Sequence, residues 1–185
     1  NPPLYPRGMI GNPEFREEQA RLNIDGEHTS FNNHVLRAGI GYFWGDIYET
    51  KEQKNFENNS LPRAGGIEEV ADTNDVFLPE KDRTNTSVYI QDEWMFTENW
   101  ALTSGIRYDH YSDFGDTYNP RLALVWATTN SITTKFLYGR AFRAPTINEL
   151  FVTSNPVNLG DEDLDPEKID TYELALSQQL SSNLR

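Results

Sequence analysis

Clustered carboxylates are the first feature of this sequence that could do chemistry. The stretch GDEDLDPE at 160–167 brings Asp161, Asp163 and Asp165 together, and carboxylate oxygens are the ligands that hard cations such as Ca²⁺ prefer. Their spacing does not match an EF-hand loop, in which ligands recur at fixed positions before a closing glutamate. We therefore expect a hydrated acidic loop, and we keep a metal site at these three residues as the alternative.

Histidine and nucleophile motifs do not predict a catalytic centre. His28, His34 and His110 are scattered along the chain, and none belongs to an HExxH motif or to another metal-ligand spacing. There is no GxSxG motif and no glycine-rich loop that could cradle a phosphate. The absence of cysteine excludes thiolate metal sites and disulfides. The sequence therefore predicts neither an enzyme nor a bound cofactor.

Two arginines near a long polar segment could bind an anion. Arg140 and Arg143 come shortly before that segment, and guanidinium groups recognise carboxylates and phosphates well. The same groups can instead form ion pairs that hold a protein wall together, with Glu149 or Glu173 as partners. We favour the structural ion pairs and keep ligand binding as the alternative.

Length and composition exclude several classes of partner and fold. The chain has 185 residues, enough for one domain, and a formal net charge of −13, which argues against a nucleic-acid backbone as partner. The longest clean apolar run is LALVWA at 122–127, whereas a membrane-spanning helix needs roughly 20 such residues. The sequence therefore predicts no transmembrane helix.

Alternation of apolar and polar residues predicts that the chain is built from β-strands. Leu102, Ile106 and Tyr108, for example, alternate with small or charged residues. Seven strands are predicted, at 20–27, 35–44, 87–96, 102–109, 121–127, 132–142 and 169–177. Asp92 interrupts the apolar set of its strand, and a local bulge there would restore the pattern. The pattern does not decide which residues of 132–142 face inward.

The predicted connections alternate in length. Segments 55–82 and 145–167 are long and polar, and 111–117 is of medium length. The short connections are 29–33, 97–99, 128–131 and 181–183. An up-and-down meander with these connections has one end with short turns and one with long loops. That asymmetry is typical of outer-membrane barrels, although a soluble barrel or sandwich can also have it.

The two faces of the predicted sheet differ in chemistry, and either could be the buried one. One face carries Arg107, Asp109 and Arg121, whereas the other is apolar. Trp94 and Trp100 flank a short turn, and aromatic residues at strand ends are typical of the girdles of a membrane barrel. An apolar face of this kind packs as the core in a soluble β-protein and contacts lipid in a membrane barrel.

Three groups of residues resemble the barrel of TonB-dependent outer-membrane receptors. They are YIQDEW at 89–94 followed by LTSGIRYD at 102–109, YGRAFRAP at 138–145 followed by NEL, and LDPE at 164–167 followed by YEL. Their order and spacing also match, and the resemblance is strongest over 84–180. The residues that carry it are Gln91, Asp92, Trp94, Gly105, Arg107, Tyr108, Asp109, Phe142, Pro145, Glu149, Pro166 and Glu167.

The resemblance implies a fold and a function. Such receptors are closed 22-stranded barrels in the bacterial outer membrane, with a plug domain in the lumen. They take up scarce cargo such as a ferric siderophore, haem or cobalamin, with energy from the TonB complex. Residues 1–185 would then be a partial barrel domain, an all-β antiparallel meander of about seven strands, without the plug and the TonB box. Loops 55–82 and 145–167 would be extracellular.

The partners implied by the resemblance are outer-membrane lipid, the protein's own plug domain, the TonB complex and an extracellular iron chelate, haem or cobalamin. In isolation, the open sheet edges would drive self-association, because unpaired backbone groups invite strand pairing. Two alternatives remain at this point. One is a soluble β-rich binding module, and the other is an outer-membrane barrel enzyme, for which no nucleophile and base are evident.

Overall fold

The computed structural model describes residues 4–180, which form one antiparallel sheet curled like half a barrel. Its elements are β1 (Gly11–His28), β2 (His34–Lys54), β3 (Glu68–Glu69), β4 (Lys81–Thr97), β5 (Trp100–Tyr111), β6 (Gly115–Thr129), β7 (Ile132–Arg143), α1 (Ile147–Phe151) and β8 (Glu167–Gln178). The strand order is β1-β2-β4-β5-β6-β7-β8, and β3 pairs only with β2. This confirms an all-β up-and-down meander with seven long strands.

Short and long connections lie at opposite ends of the sheet, as predicted. Because neighbouring strands are antiparallel, the turns after β1, β4 and β6 share one end, and the connections after β2, β5 and β7 share the other. The expected medium loop at 111–117 is a tight turn at 112–114, since pairing continues to Tyr111 and Gly115. Gly115 has φ +87°, which suits glycine in such a turn. The turn predicted at 181–183 lies outside the described residues.

The strand register places most of the large apolar residues of the predicted hairpin and its neighbours on one side of the sheet. Leu102 is opposite Leu124, Leu124 is opposite Phe136, and Phe136 is opposite Leu174. The side with these residues, the apolar face, also holds Ile106, Leu122, Trp126 and Leu176. The other side, the polar face, holds Arg107, Asp109, Arg121, Thr171 and Glu173. In β7, Phe136 and Tyr138 lie on the apolar face.

The apolar face is exposed rather than packed as a core. Ile90 is 56% exposed, Leu174 63% and Leu176 71%. The buried hydrophobic residues of the described chain lie elsewhere, close to the long connections, and are Ile47, Phe56, Val70, Val76, Leu78, Leu150 and Val152. Within 4–180, α1 is a helix of five residues, and no helix is long and apolar enough to cross a membrane.

The strand register passes through Asp92 without interruption, so the predicted bulge at this residue is wrong. Asp92 is opposite Leu36 of β2, and the irregularity between β4 and β5 lies between Trp94 and Thr97, beside the short turn. Asp92 therefore stays on the apolar face. Its carboxylate oxygen Oδ2 lies 2.8 Å from Nδ1 of His34, which is a polar contact between apolar residues of this face.

The first two strands are much longer than the alternation predicted. β1 has 18 residues and β2 has 21, whereas β5 and β7 have 12 each. The pairing of β2 with β4 ends at Ile47, so residues 48–54 project past β4, and 49–54 pair with β1. Charged side chains occupy both sides of this extension, and they hid the period-two pattern in the sequence.

Candidate functional site

Three guanidinium groups surround one hollow on the polar face. The hollow has a volume of about 490 Å³ and is lined by Arg21, Arg83, Arg107, Asn85 and Ser87, among others. Asn85 and Ser87 are buried at its floor, where an amide and a hydroxyl add further hydrogen-bonding groups. Guanidinium groups hold carboxylates and phosphates through paired N–H donors. The hollow is therefore suited to bind an anionic group.

The three arginines of the hollow differ in how far they are already paired. Arg83 donates to Asp113 at 2.6 Å and to the Pro145 carbonyl at 2.9 Å. Arg107 donates to both carboxylate oxygens of Asp109, which is buried. Arg21 instead lies over the Phe43 ring, 5.2 Å from its centroid, and makes no ion pair with any residue of 4–180. Arg21 is thus the cation of this hollow that is most available to a ligand.

A buried ion pair joins the β2 extension to both long connections. The Lys54 ammonium lies 3.2 Å from Glu52 Oε1, and both side chains are 1% exposed. Lys54 also donates to the carbonyl of Asp75 at 2.6 Å and to the carbonyl and hydroxyl of Ser154 at 2.9 and 3.0 Å. The Phe77 amide donates to the other Glu52 oxygen at 2.5 Å. These bonds hold segments 75–77 and 154 against one strand.

Glu52 and Lys54 lie beyond the residues of β2 that pair with β4. Burial shifts the pKa values of both groups. It raises the pKa of the Glu52 carboxyl and lowers the pKa of the Lys54 ammonium, because a low-dielectric environment disfavours each charged form. Each charge counteracts that effect on its partner. Removal of either one would leave the other as an unpaired buried charge, which is strongly destabilising.

An apolar cluster stands beside the ion pair and completes the loop end. Ile47, Leu78 and Val152 are buried together, and Ile147 and Phe151 of α1 pack against them. The Thr153 amide donates to the Phe77 carbonyl at 3.0 Å, so the two long connections also share a backbone hydrogen bond. We call this assembly of 47–54, 75–78 and 147–154 the loop platform.

Arg143 forms the ion pair with Glu149 that the sequence analysis favoured. It donates to both oxygens of Glu149, at 2.9 and 3.1 Å, and to both oxygens of Glu167, at 3.1 and 2.7 Å. Glu149 also accepts from the Thr146 amide at 2.7 Å, within a capping box at the start of α1. The Arg143 guanidinium, helped by this amide, lowers the pKa of Glu149 to about 2. Arg143 thus fastens both ends of the 144–166 connection.

Arg140 lies on the opposite side of β7 from Arg143. Its guanidinium pairs with Asp170 at 2.9 and 3.0 Å, and the Tyr138 hydroxyl donates to the same carboxylate at 2.8 Å. Tyr138 stacks on Tyr172 of the apolar face, which shows that Arg140 also faces that way. The structure therefore separates the two arginines that the sequence analysis considered together. Glu173, the other partner considered, makes no ion pair within 4–180.

The acidic stretch at 161–165 is an exposed turn. The Asp163 amide donates to the Asp161 carboxylate at 3.0 Å, and Asp165 is exposed as well. Among residues 4–180, no three His, Cys, Asp or Glu side chains are close enough to hold a metal ion.

The residues that carried the family resemblance fall into three places. On the polar face, Gln91 is opposite Gly105, and Arg107 is bound to Asp109. On the apolar face are Asp92, Trp94 and Tyr108, whose hydroxyl donates to Asp116. At the loop end, the remaining residues hold the start and end of the last long connection. These are Phe142, Pro145, Glu149, Pro166 and Glu167.

Sequence reasoning missed the loop platform and Arg21. The pattern TINE at 146–149 did contain a signal, because a threonine followed three residues later by glutamate is the signature of a capping box. Glu52, Lys54 and Ser154 left no comparable signal, since two of them are separated by 100 positions.

Comparison with known proteins places the chain in a family. The family model "TonB dependent receptor-like, beta-barrel" matches residues 5–184. The "Iron-regulated outer membrane virulence protein" of Vibrio cholerae is 33% identical over 106 residues, which are 55% of this chain and 16% of that protein. The "Vitamin B12 transporter BtuB" of Photobacterium profundum is 28% identical over 123 residues, 64% of this chain and 19% of that protein.

A solved structure has the same fold at low sequence identity. The siderophore receptor PirA from Acinetobacter baumannii matches 89% of this chain and 25% of its own chain, with a TM-score of 0.66 and 19% identity. The chain thus spans less than a fifth of the length of the two relatives above and a quarter of this structure. Because the family model matches almost the whole chain, the chain belongs to the TonB-dependent receptor family, whose β-barrels lie in the bacterial outer membrane.

Proposed function

We propose that this chain forms part of the wall and outer rim of a receptor that takes up scarce cargo across the outer membrane. Seven strands would be about a third of a 22-stranded barrel. Residues 1–185 would belong to the barrel domain, with 55–82 and 145–167 as extracellular loops. A plug domain in the lumen and the TonB complex, which supplies energy, would be its partners within the working receptor.

The observation that carries this proposal is the distribution of buried and exposed apolar residues. The apolar face of the sheet is exposed, and the polar face holds the arginine hollow. In a membrane barrel an apolar face of this kind meets lipid, while the polar face lines a wet or plugged lumen. The loop platform then lies at the extracellular end, because the long loops of such barrels are extracellular.

The arginine hollow suggests what the lumen side recognises. Arg21 has no carboxylate partner in the described chain, so an anionic group from outside it would complete the hollow. That group would be either a carboxylate of the plug domain or the anionic part of a cargo. A ferric siderophore, haem and cobalamin remain the candidate cargoes, and the family supplies no reason to assign a catalytic step to this chain.

Uptake by cells that carry the full-length receptor tests the proposal. A ferric siderophore, haem and cobalamin are offered separately to cells with and without a functional TonB complex. We expect TonB-dependent uptake of one of them. Uptake that is equal in the two strains, or no uptake of any cargo above that of cells lacking the receptor, would refute the proposal.

Two arginines of β1 provide a matched pair of variants for the same assay. Arg21→Gln removes the cation of the hollow, whereas Arg16→Gln removes an arginine whose side chain is 66% exposed and pairs with Glu49. We expect Arg21→Gln alone to reduce uptake, by about tenfold for one lost charge-assisted contact. Reduced cargo affinity would assign Arg21 to the cargo, and slower transport at unchanged affinity would assign it to the plug.

A further inference from the structure

Arg83 contacts both the arginine hollow and the last long connection. Its guanidinium lines the hollow on the polar face, together with Arg21 and Arg107. The same group donates to the Pro145 carbonyl at 2.9 Å. Arg83 lies on β4 and Pro145 follows β7, so this bond spans β5 and β6 in the sheet. One side chain therefore joins the hollow to a loop that begins three strands away.

The position of the Arg83 side chain is fixed by its surroundings. Asp113, in the turn between β5 and β6, accepts from Arg83 Nε at 2.6 Å. The two side chains are 12% and 6% exposed, so water and salt screen their attraction little. The guanidinium carbon also lies 5.9 Å from the centroid of the Tyr111 ring and 5.6 Å from that of Phe114. At these distances a cation is attracted to an aromatic ring.

Arg83 still has hydrogen-bond donors that the protein does not use. A guanidinium carries N–H donors on all three of its nitrogens. The bonds to Asp113 and Pro145 use Nε and Nη2, whereas Nη1 has no hydrogen-bond partner among residues 4–180. An anion in the hollow can therefore accept from Nη1 while both existing partners keep their bonds. Binding of an anion would add to the contacts that hold Arg83 and would not replace them.

The bond to Pro145 acts on the start of α1. Pro145 is buried and directly precedes Thr146, which is the N-cap residue of this helix. The Leu150 amide donates to the Thr146 carbonyl at 3.2 Å, and Leu150 is itself buried. Because the N-cap residue sets where a helix begins, a restraint on Pro145 also restrains the first turn of α1. Since α1 is part of the loop platform, Arg83 links the hollow to that platform.

We propose that Arg83 couples the arginine hollow to the last long connection, so that an anion bound in the hollow makes the start of this connection more ordered. The proposal rests on the proposed function only in taking the hollow as a site for an anionic group. An anion on Nη1 favours the conformation of Arg83 in which Nη2 reaches Pro145. By reciprocity, an ordered connection raises the affinity of the hollow for the anion. Asp113 is a positioning residue, because it holds Arg83 in that conformation.

Hydrogen exchange in the full-length receptor tests the coupling, with inorganic phosphate as the probe so that the result does not depend on the cargo. The reporters are the amides of Leu150 and Val152, which donate to carbonyls one helical turn earlier. Their exchange is measured in phosphate and in sodium chloride at equal pH and ionic strength. We expect phosphate to slow exchange by about fivefold, at the lower end of the usual coupling between two sites. Equal exchange in the two salts would overturn the proposal.

Two arginine variants decide whether Arg83 transmits the effect. Arg83→Lys keeps the positive charge but removes the planar group that can bond in two directions at once. Arg121→Lys is the matched control, because Arg121 lies on the same face but does not line this hollow. We expect the slowing by phosphate to be lost in Arg83→Lys and kept in Arg121→Lys. Each variant is compared with itself in the two salts. Full slowing in Arg83→Lys would mean that phosphate acts without Arg83, and the proposal would fail.

Asp113→Asn tests the positioning role while Arg83 itself is kept, so it does not depend on whether Arg83→Lys folds. We expect it to reduce the slowing by phosphate, whereas Asp116→Asn, in the same hairpin but bonded to Tyr108 and His110, should not. An undiminished effect in Asp113→Asn would contradict the proposal. The uptake assay is separate, because normal uptake without a phosphate effect refutes the coupling alone. A phosphate effect without uptake refutes only the transport function.

Discussion

The Lys54 ammonium lies 2.9 Å from the carbonyl of Ser154, a residue 100 positions further along the chain. The contact joins the end of β2 to the connection between β7 and β8, although β4, β5 and β6 lie between β2 and β7 in the sheet. One buried side chain therefore holds together loops that belong to different hairpins. The arrangement of the loop platform depends on this contact as much as on its apolar cluster.

Lys54→Met should loosen the loop platform. It removes the ammonium and leaves Glu52 as an unpaired buried charge, which typically costs about 3–5 kcal/mol. Hydrogen exchange at Phe77 and Thr153 in the full-length receptor would report the loss as faster exchange. Lys51→Met is the control, because Lys51 forms an exposed pair with Glu49. Equal exchange in the two variants would contradict a structural role for the buried pair.

Acid should release the 144–166 connection through Glu149. The folded pKa of this carboxyl is about 2, below its ordinary value of 4.5, so its ion pair stabilises the fold fully above pH 4.5. That contribution is lost as the pH falls from 4.5 towards 2, because the carboxyl takes up a proton. Hydrogen exchange of α1 over this range would show the change. Glu149→Gln should abolish most of the pH dependence, and Glu162→Gln should leave it intact.

Gly160→Ala should disrupt the fold of the last long connection. A Cβ at this position would lie 2.5 Å from the Leu150 carbonyl oxygen and 2.6 Å from the Val152 nitrogen, and both are backbone atoms that cannot move aside easily. We expect a cost of about 1–3 kcal/mol, as for other overpacked positions. Gly139→Ala is the control, since its Cβ would meet nothing within 4 Å. Limited proteolysis of the loop should distinguish the two variants.

Spin labels should reveal which face of the sheet meets lipid. Labels at Leu122 and Leu174 of the full-length receptor in a bilayer should be accessible to oxygen and shielded from a polar relaxant. Labels at the adjacent positions Arg121 and Glu173 should show the reverse, because they lie on the polar face. Similar exposure of adjacent labels to both agents would contradict the assignment of the faces.

The isolated chain should self-associate and bind no cargo with useful affinity. Both outer strands, β1 and β8, have a free edge in the described structure, and such edges pair readily with other chains. Ordering the long loops around a ligand would cost about 1–2 kcal/mol per fixed residue, without neighbouring loops to share it. Light scattering and calorimetry would check these two expectations. Submicromolar binding of cargo by a monomer would show that the site is local to these loops.

The strands of the sheet could be predicted from the sequence, because alternating apolar and polar residues in a strand point to opposite faces of the sheet. The alternation of Leu102, Ile106 and Tyr108 with small or charged residues predicts one apolar face, and the strand register confirms it. The pattern failed where both sides of a strand meet water or loops. Residues 11–19 and 45–54 therefore lay outside the predicted strands, although they are parts of β1 and β2.

The candidate site could not be predicted to the same extent. The Arg143–Glu149 pair was foreseeable, because its partners are six positions apart and a capping motif lies between them. Lys54 and Ser154 are brought together only by four successive strand pairings, from β2–β4 to β6–β7, and no local sequence pattern predicts this. Asp92 was noticed as an exception, but its explanation as a bulge was wrong, because His34 supplies a partner on the neighbouring strand.

The separate apolar core of the loop platform has an evolutionary consequence. Leu78 and Val152 are buried with Ile47, and Ile147 and Phe151 pack against them, whereas large side chains of the apolar face are exposed. A lineage can therefore exchange the chemistry of the rim while the same scaffold persists in the membrane. Such an exchange must keep the buried apolar residues of the loop platform and Lys54, because these residues hold the two long connections together.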